Sequence, residues 1–207
     1  MFQTDLFNAS KYNTLEEVLA AIRGMTDDPL ANAGTNIVIS RGNPSARLLL
    51  IGEAPGPQEN IQGKPFVGPA GKLLDKILLA ANFDPEKDVY ITNSVFRMPP
   101  GDDKAFRKPS DAEVDYYRPF VFEIIRIIDP LVILLTGNVA CQSVLRRTGI
   151  TSLRGQWTQM GDRWLMPIFH PSYLLRNQSR DPGSPKALMW EDIREVRKKY
   201  DELIVRE

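Results

Sequence analysis

"RLLLIGEAPG", Arg47 to Gly56, decides how the chain folds. Leu48 to Ile51 are apolar without interruption, so both faces of this segment are covered and no inward–outward alternation is needed. The run is bounded by a Gly-Glu-Ala-Pro-Gly turn, which makes it a buried parallel strand feeding a loop. "VYITNSV", 89–95, and "LVILLTG", 131–137, have the same character and read as further strands.

Helical patterns separate these strands. "TLEEVLAAIR", Thr14 to Arg23, opens on a capping box made by Thr14 and Glu17 and stops at Gly24. Spacing of Leu73, Leu74, Ile77 and Leu78 predicts a helix over about 70–82. Ser110 and Glu113 form a second capping box, opening a helix that runs to Ile128 and ends before Asp129-Pro130. Another helix is expected over 139–147. "WTQMGDRWLMPIFHP" reads as two strands joined near Gly161-Asp162, and a last helix covers about 185–203. This alternation predicts an α/β single domain over residues 13–207. Its architecture is a three-layer α/β/α sandwich with a central, mainly parallel four-stranded sheet, preceded by a flexible N-terminal arm, residues 1–12.

Composition excludes several classes. The chain has 207 residues, 43% hydrophobic and 25% charged, which suits a globular domain and not a disordered or collagen-like one. No apolar run approaches the ~18 residues of a membrane span. The first residues lack a basic segment followed by an apolar one, so no signal peptide is expected there and the expected location is cytoplasmic. A single cysteine, Cys141, rules out a disulfide framework and a cysteine-built metal site. Formal net charge is zero. Between Cys141 and Arg180, however, Arg146, Arg147, Arg154, Arg163, Arg176 and Arg180 face one acid, Asp162. That run is either a basic face that steers a phosphate backbone or a set of scattered solvated arginines.

In an open parallel sheet, ligands bind beyond the carboxyl ends of the strands. The unusual segments all follow strands: "GEAPGPQENIQGKPFVGPAG", "NSVFRMPPGDDKAFRKP", the Gly-Asn after the third strand, and "HPSYLLR". Glu53 is the acid at the first strand end, suited to orient water or to cap amides. The first loop matches neither a GxxxxGK[ST] nor a GxGxxG phosphate loop. Phe66 lies in a Gly/Pro-rich loop, as a satellite core residue or as a stacking platform for a flat ring. Asn93 has one acceptor and two donors, for the edge of a base or for its own turn. His170, the only histidine, is either bonded to backbone or placed to donate to an oxygen on which negative charge develops. Pro171-Ser172 can approach a phosphate. Leu174 and Leu175 either start a helix on the core or wedge into a base stack.

Taken in order, "GEAPG", "GKPFVGPAG", "TNSV…PPG" and "HPSYLLR" resemble the uracil-DNA glycosylase superfamily, closest to its family 4, over nearly the whole chain. The resemblance implies a monofunctional glycosylase that excises uracil from DNA after flipping the base, in base-excision repair, as a cytoplasmic monomer near the bacterial nucleoid. It implies Phe66 stacking on uracil within a pocket bordered by Gly52 and Ala54, and Asn93 reading the O4 and N3 edge. His170 would bond O2 and Glu53 would place water. Pro55, Gly56, Pro99, Pro100, Pro171, Ser172, Leu174 and Arg176 would meet DNA, Leu174 as a wedge. Ala54 stands where other branches carry a water-activating aspartate, and Gly56 where another branch uses a tyrosine to exclude thymine.

Family 4 members typically hold a [4Fe–4S] cluster on four cysteines, and such clusters require thiolates. The four positions fall at Met25, Asp28, Arg97 and Tyr117, none a cysteine. The resemblance therefore predicts a protein without cluster or metal, with Met25 and Tyr117 packing in its place and Asp28 pairing with Arg97. "QTDLF", 3–7, resembles a bacterial sliding-clamp binding peptide, which implies a clamp contact through Gln3, Leu6 and Phe7. The alternative to the enzyme is a catalytically inactive DNA- or base-binding module on the same fold. An α/β hydrolase is disfavoured because no nucleophile elbow is present.

Overall fold

Residues 11–102 and 106–205 are described by a computed structural model. Its centre is a six-stranded sheet in the order β1-β3-β2-β4-β6-β5. The strands are β1 (Ser40–Gly42), β2 (Leu48–Gly52), β3 (Val89–Asn93), β4 (Val132–Thr136), β5 (Thr158–Met160) and β6 (Arg163–Ile168). The four inner strands β3, β2, β4 and β6 are mutually parallel, while β1 and β5 add antiparallel edges. The expectation of four strands thus describes the centre of the sheet and is corrected at both edges. β1 carries the short polar sequence Ser-Arg-Gly, whose strand character comes from pairing with β3.

Every residue of β2, β3 and β4 is buried, as their unbroken apolar runs require. Alternate side chains serve two separate cores. Leu49, Ile51, Tyr90, Ile133 and Leu135 pack with α1 (Leu15–Arg23), α4 (Asp111–Ile128) and α5 (Gly137–Leu145). Leu48, Leu50, Val89, Ile91, Val132 and Leu134 pack on the other face with α3 (Pro69–Ala80), α7 (Pro171–Arg176) and α8 (Pro185–Ile204). The result is three layers. Short helices α2 (Pro57–Gln62) and α6 (Ile150–Leu153) lie in the connections. Both expected capping boxes form, at Thr14 with Glu17 and at Ser110 with Glu113. Among the described residues no helix is long and apolar enough to cross a membrane.

Lys11 donates its backbone N–H to Glu123, and the Tyr12 carbonyl accepts from Arg126, so residues 11 and 12 are bound to α4. The remainder of the expected arm, with Gln3, Leu6 and Phe7, lies outside the described residues.

Chain order fixes where a site can form. From β2 the chain steps to β3 on one side, then crosses to β4 on the other, so the connections diverge between β2 and β4. Diverging loops open a crevice at the carboxyl ends of these two strands. One face of the loop after β3 is held by the four positions at which the resemblance would put a cluster. Arg97 Nε pairs with Asp28 Oδ2 at 3.0 Å, Arg97 Nη1 donates to the Thr35 carbonyl at 2.5 Å, and Nη2 reaches the Met25 carbonyl at 3.4 Å. Tyr117 donates its hydroxyl to Asp28, and the Leu30 amide donates to the same carboxylate at 3.0 Å. Met25 and Tyr117 belong to the buried cluster beside α1 and α4. These side chains supply no thiolate, and the Asp28 carboxylate is already shared by three donors. The set does not fit an iron–sulfur cluster. Cys141 is buried in α5, and that burial pushes its thiol up to about 12, so it offers no thiolate either.

The Asp28 side chain is fully buried and that of Arg97 is 13% exposed. Removing one member of such a pair leaves the other charge buried without a partner. Asp28→Ala is therefore expected to cost about 3–5 kcal/mol of stability, read from urea denaturation midpoints at unchanged slope. A loss under about 1 kcal/mol, the range of exposed pairs, would show that this corner is held by apolar packing alone.

Candidate active site

The crevice is built around a backbone atom with no side chain. Gly52 ends β2, and a Cβ at this position would lie 2.3 Å from Asn93 Oδ1 and 2.5 Å from Phe66 Cζ. Two of the expected site residues thus meet directly over Gly52. Asn93 comes from the end of β3, in register with Gly52. It is only 2% exposed, and among the described residues its amide has no hydrogen-bond partner. Its Oδ1 faces the space over Gly52, so the amide is presented to the crevice.

Phe66 reaches the same place from the loop between α2 and α3. Its ring is 5.9 Å from the His170 ring, centroid to centroid, at 30°. The backbone of Phe66 is left-handed, φ 54°, a conformation that a bulky residue rarely adopts. Gly71, in the first turn of α3, makes room for it, since a Cβ there would fall 1.8 Å from the Phe66 carbonyl oxygen. The loop is also tied on both sides. Glu59 Oε1 accepts from the amides of Val67 and Gly68 at 2.9 and 2.7 Å, and its Oε2 accepts from the Gly56 amide at 3.2 Å. Arg41 of β1 donates from Nε to the Pro65 carbonyl at 3.0 Å.

His170 caps α7 at the end of β6. Its Nδ1 accepts the Ser172 backbone N–H at 3.2 Å and lies 2.8 Å from Ser172 Oγ. An Nδ1 that accepts leaves the ring proton on Nε2, so the free edge of the imidazole is a donor. Burial, reinforced by the Arg176 charge and opposed by Glu59, pushes the imidazole down to about 4. The ring is therefore neutral at physiological pH. Gly137 lets it approach: at φ 85° its missing Cβ would stand 3.2 Å from His170 Cβ. Ser172, expected along the DNA path, turns both its amide and its hydroxyl to this histidine.

Glu53 follows Gly52 in the loop and is half-buried. Burial raises its pKa above the ordinary carboxylate value, and the Lys108 charge works against that rise. Ala54 packs against the cluster on the α4 side, and Pro55 is buried. Gly56 is extended, and a Cβ on it would meet Glu59 Oε2 at 2.9 Å. The space beside Gly56 is thus filled by a carboxylate. On the loop after β3, Pro99 is buried and Pro100 exposed. That loop closes onto α4 through the bidentate pair of Arg107 with Glu113, at 2.8 and 2.6 Å.

Two expectations change. Leu174 is 1% exposed and packs in the core with α3 and α8, so it has no surface with which to enter a base stack. Leu175, at 38% exposed, is the outward leucine. Of the six arginines between 141 and 180, Arg146 pairs with Asp115, Arg154 with Asp192 and Arg163 with Asp129. Acids from outside the run neutralise half of it, leaving Arg147, Arg176 and Arg180 exposed. The residues missed in the sequence are Arg41, Glu59, Lys108, Gly71 and Gly137. Glu59 alone had a visible signal: Gly56-Pro-Gln-Glu59 is a helix start with Glu at its third position.

The chain as a whole matches a known family. Residues 39–194 match the model of the "Uracil DNA glycosylase superfamily". The "Type-4 uracil-DNA glycosylase" of Thermotoga maritima is 36% identical over 188 residues, 88% of this chain and 93% of that protein. The protein of the same name from Archaeoglobus fulgidus is 33% identical over 179 residues, 81% of this chain and 87% of the relative. A third, from Saccharolobus solfataricus, is 34% identical over 171 residues, 78% and 75% of the two chains. With three-quarters of its length inside the matched region and all four rim loops within it, this chain belongs to the uracil DNA glycosylase superfamily.

Proposed function

We propose that the chain is a uracil-DNA glycosylase, a hydrolase of the base-excision repair class that breaks the N-glycosidic bond of a flipped-out deoxyuridine. The observation that carries this reading is the meeting of the Asn93 amide and the Phe66 ring over Gly52, with a neutral histidine donor beside that ring. A pyrimidine is flat, presents a mixed donor–acceptor edge, and leaves as an anion. Phe66 provides the flat surface, Asn93 pairs the O4 and N3–H edge, and His170 Nε2–H donates to O2.

In the reaction the C1′–N1 bond breaks and its electron pair stays on the base, delocalised to O2. A donor already aimed at that oxygen stabilises the charge without reorganising. A neutral imidazole performs this task because the burial that pushes it down to about 4 also removes competing water. The sugar develops positive charge, which the ionised Glu53 and the DNA phosphates stabilise. A water oriented by Glu53 then bonds C1′, and its proton passes to the carboxylate. Flipping the nucleotide costs a few kcal/mol, which contacts on the rim offset. Pro100, Arg176 and the outward Leu175 are the exposed groups assigned to that rim, with Leu175 in place of Leu174 as the wedge.

Release of uracil from a labelled oligonucleotide, at stated salt, tests the reading directly. His170→Ala is expected to lower kcat about 10²–10³-fold, the loss typical of one donor to a developing oxyanion. Asn93→Ala should act in the same direction. Wild-type protein that binds uracil-containing DNA and releases nothing would favour the inactive binding module instead.

Gly52→Ala tests the pocket by volume. The added methyl collides with Asn93 and Phe66, so excision should fall to near background while circular dichroism stays that of wild type. Retained activity would mean that the base does not sit over Gly52.

The pH dependence has a definite sign. Glu53 must be ionised, and its raised pKa places the acid limb of kcat/KM above the ordinary carboxylate range. Lys108 lowers that pKa, so Lys108→Ala should move the limb to higher pH. No inflection near 6.5 is expected from His170, whose imidazole is pushed down to about 4. A limb unmoved by Lys108→Ala, or abolished by His170→Ala, would assign it to a different group.

A further inference from the structure

Phe66 is held in a conformation that its own side chain disfavours. Its φ of 54° is the left-handed region, where bulky residues are found only when surrounding structure over-determines them. Such strain at a site is retained by contacts elsewhere, and these contacts are identifiable. On the amino side, Arg41 donates Nε to the Pro65 carbonyl at 3.0 Å, and its Nη2 reaches past the ring to the Phe66 carbonyl at 3.5 Å. On the carboxyl side, Glu59 accepts the next two amides, Val67 and Gly68, on one oxygen. Neither side chain is itself loose. Arg41 is 8% exposed and is pinned by Asp75 of α3 and by Glu86. Glu59 also takes the Gly56 amide, joining the Phe66 loop to the loop that begins at Glu53.

We propose that Arg41 and Glu59 are positioning residues that clamp the Phe66 loop from opposite sides and so fix the plane on which the base stacks. This rests on the reading of Phe66 as the base platform. The two act through backbone groups: Arg41 holds the Pro65 and Phe66 carbonyl oxygens, Glu59 holds the Val67 and Gly68 amide hydrogens, and the peptide unit that follows Phe66 is fixed at both ends. Precision at this level matters because a catalytic constellation loses rate when its members move by about 1 Å. The inference also gives β1 a purpose. Strand β1 places Arg41 beside the loop and contributes little apolar surface. Glu59 likewise lies on a six-residue helix that has no buried residue.

The test is a double-mutant cycle in uracil release. Glu59→Ala should lower kcat about 10–100-fold, the cost of misplacing one member of a site, with KM for the oligonucleotide little changed because the other rim loops still hold DNA. In a Phe66→Ala background the same substitution should cost nothing further, since its effect passes through that ring. Glu59→Gln keeps an acceptor for the Val67 and Gly68 amides and should recover most of the loss. Arg41→Lys keeps the charge facing Asp75 and Glu86 but loses the planar fork. It should reproduce the kcat defect, and it serves where Glu59→Ala does not fold by thermal melting. Losses that add in the Phe66→Ala background, a defect confined to KM, or Gln behaving as Ala would each overturn the clamp. Hydrogen exchange at the Val67 and Gly68 amides gives a readout that needs no activity: slow in wild type, fast in Glu59→Ala. Exchange equally fast in both refutes the clamp. A wild type that releases no uracil defeats the functional reading alone, and exchange still decides the clamp.

Discussion

The site depends on Gly52 having no side chain, at the one place in the sheet where loops part to either side. β2 is the most constrained strand of the fold, buried along its length and paired in parallel on both edges, with β3 and with β4. Its register sets Gly52 against Asn93, so the end of β3 arrives beside an empty Cα position. Phe66 fills the approach from the other direction. A single methyl group here would meet both side chains at under 3 Å, so Asn93 and Phe66 would have to leave their places. The pocket is thus specified by backbone geometry before any polar group is considered.

Polar groups then fix what the backbone has positioned. His170 is oriented by the first turn of α7, where the Ser172 amide donates to Nδ1 and sets which nitrogen carries the proton. Burial keeps the ring neutral, and the same burial raises Glu53. One environment therefore acts in opposite directions on an acid and a base. It disfavours charge on both, and the Lys108 cation restores part of the ionisation of Glu53 alone. At His170 the Arg176 charge outweighs the Glu59 counter-charge, so the two groups differ in which neighbouring charge dominates.

Much of this was legible in the sequence, for identifiable reasons. Unbroken apolar runs announced the parallel strands because burial on two faces leaves no room for alternation. Capping boxes at Thr14 and Ser110 announced helix starts because their side-chain bonds are local. What escaped depends on contacts distant along the chain. β1 is a strand only because Ser40 to Gly42 pair with Tyr90 to Thr92. Leu174 and Leu175 are indistinguishable as a pair of letters, and the six-residue helix turns one into the core and the other outward. Basic residues between 141 and 180 suggested a charged face, but Asp115, Asp129 and Asp192 lie outside that window and pair with three of them.

The corner formed by Met25, Asp28, Arg97 and Tyr117 shows how a protein of this family can secure the loop after β3 without thiolates. A metal cluster would bridge three chain segments by covalent ligation at four positions. Here Asp28 accepts from Arg97, Tyr117 and the Leu30 amide, and Arg97 continues to two carbonyls, so one ion pair links the same segments. A buried pair brings little net stability over an apolar core of equal volume, because both charges must be desolvated. Its contribution is directional: guanidinium and carboxylate meet in a narrow range of orientations, whereas apolar side chains slide. That matters at this corner because Asn93, whose Oδ1 faces Gly52, lies four residues before Arg97. The strand end that brings Asn93 over Gly52 is held by a partner that tolerates little movement, and the geometry over Gly52 inherits that rigidity.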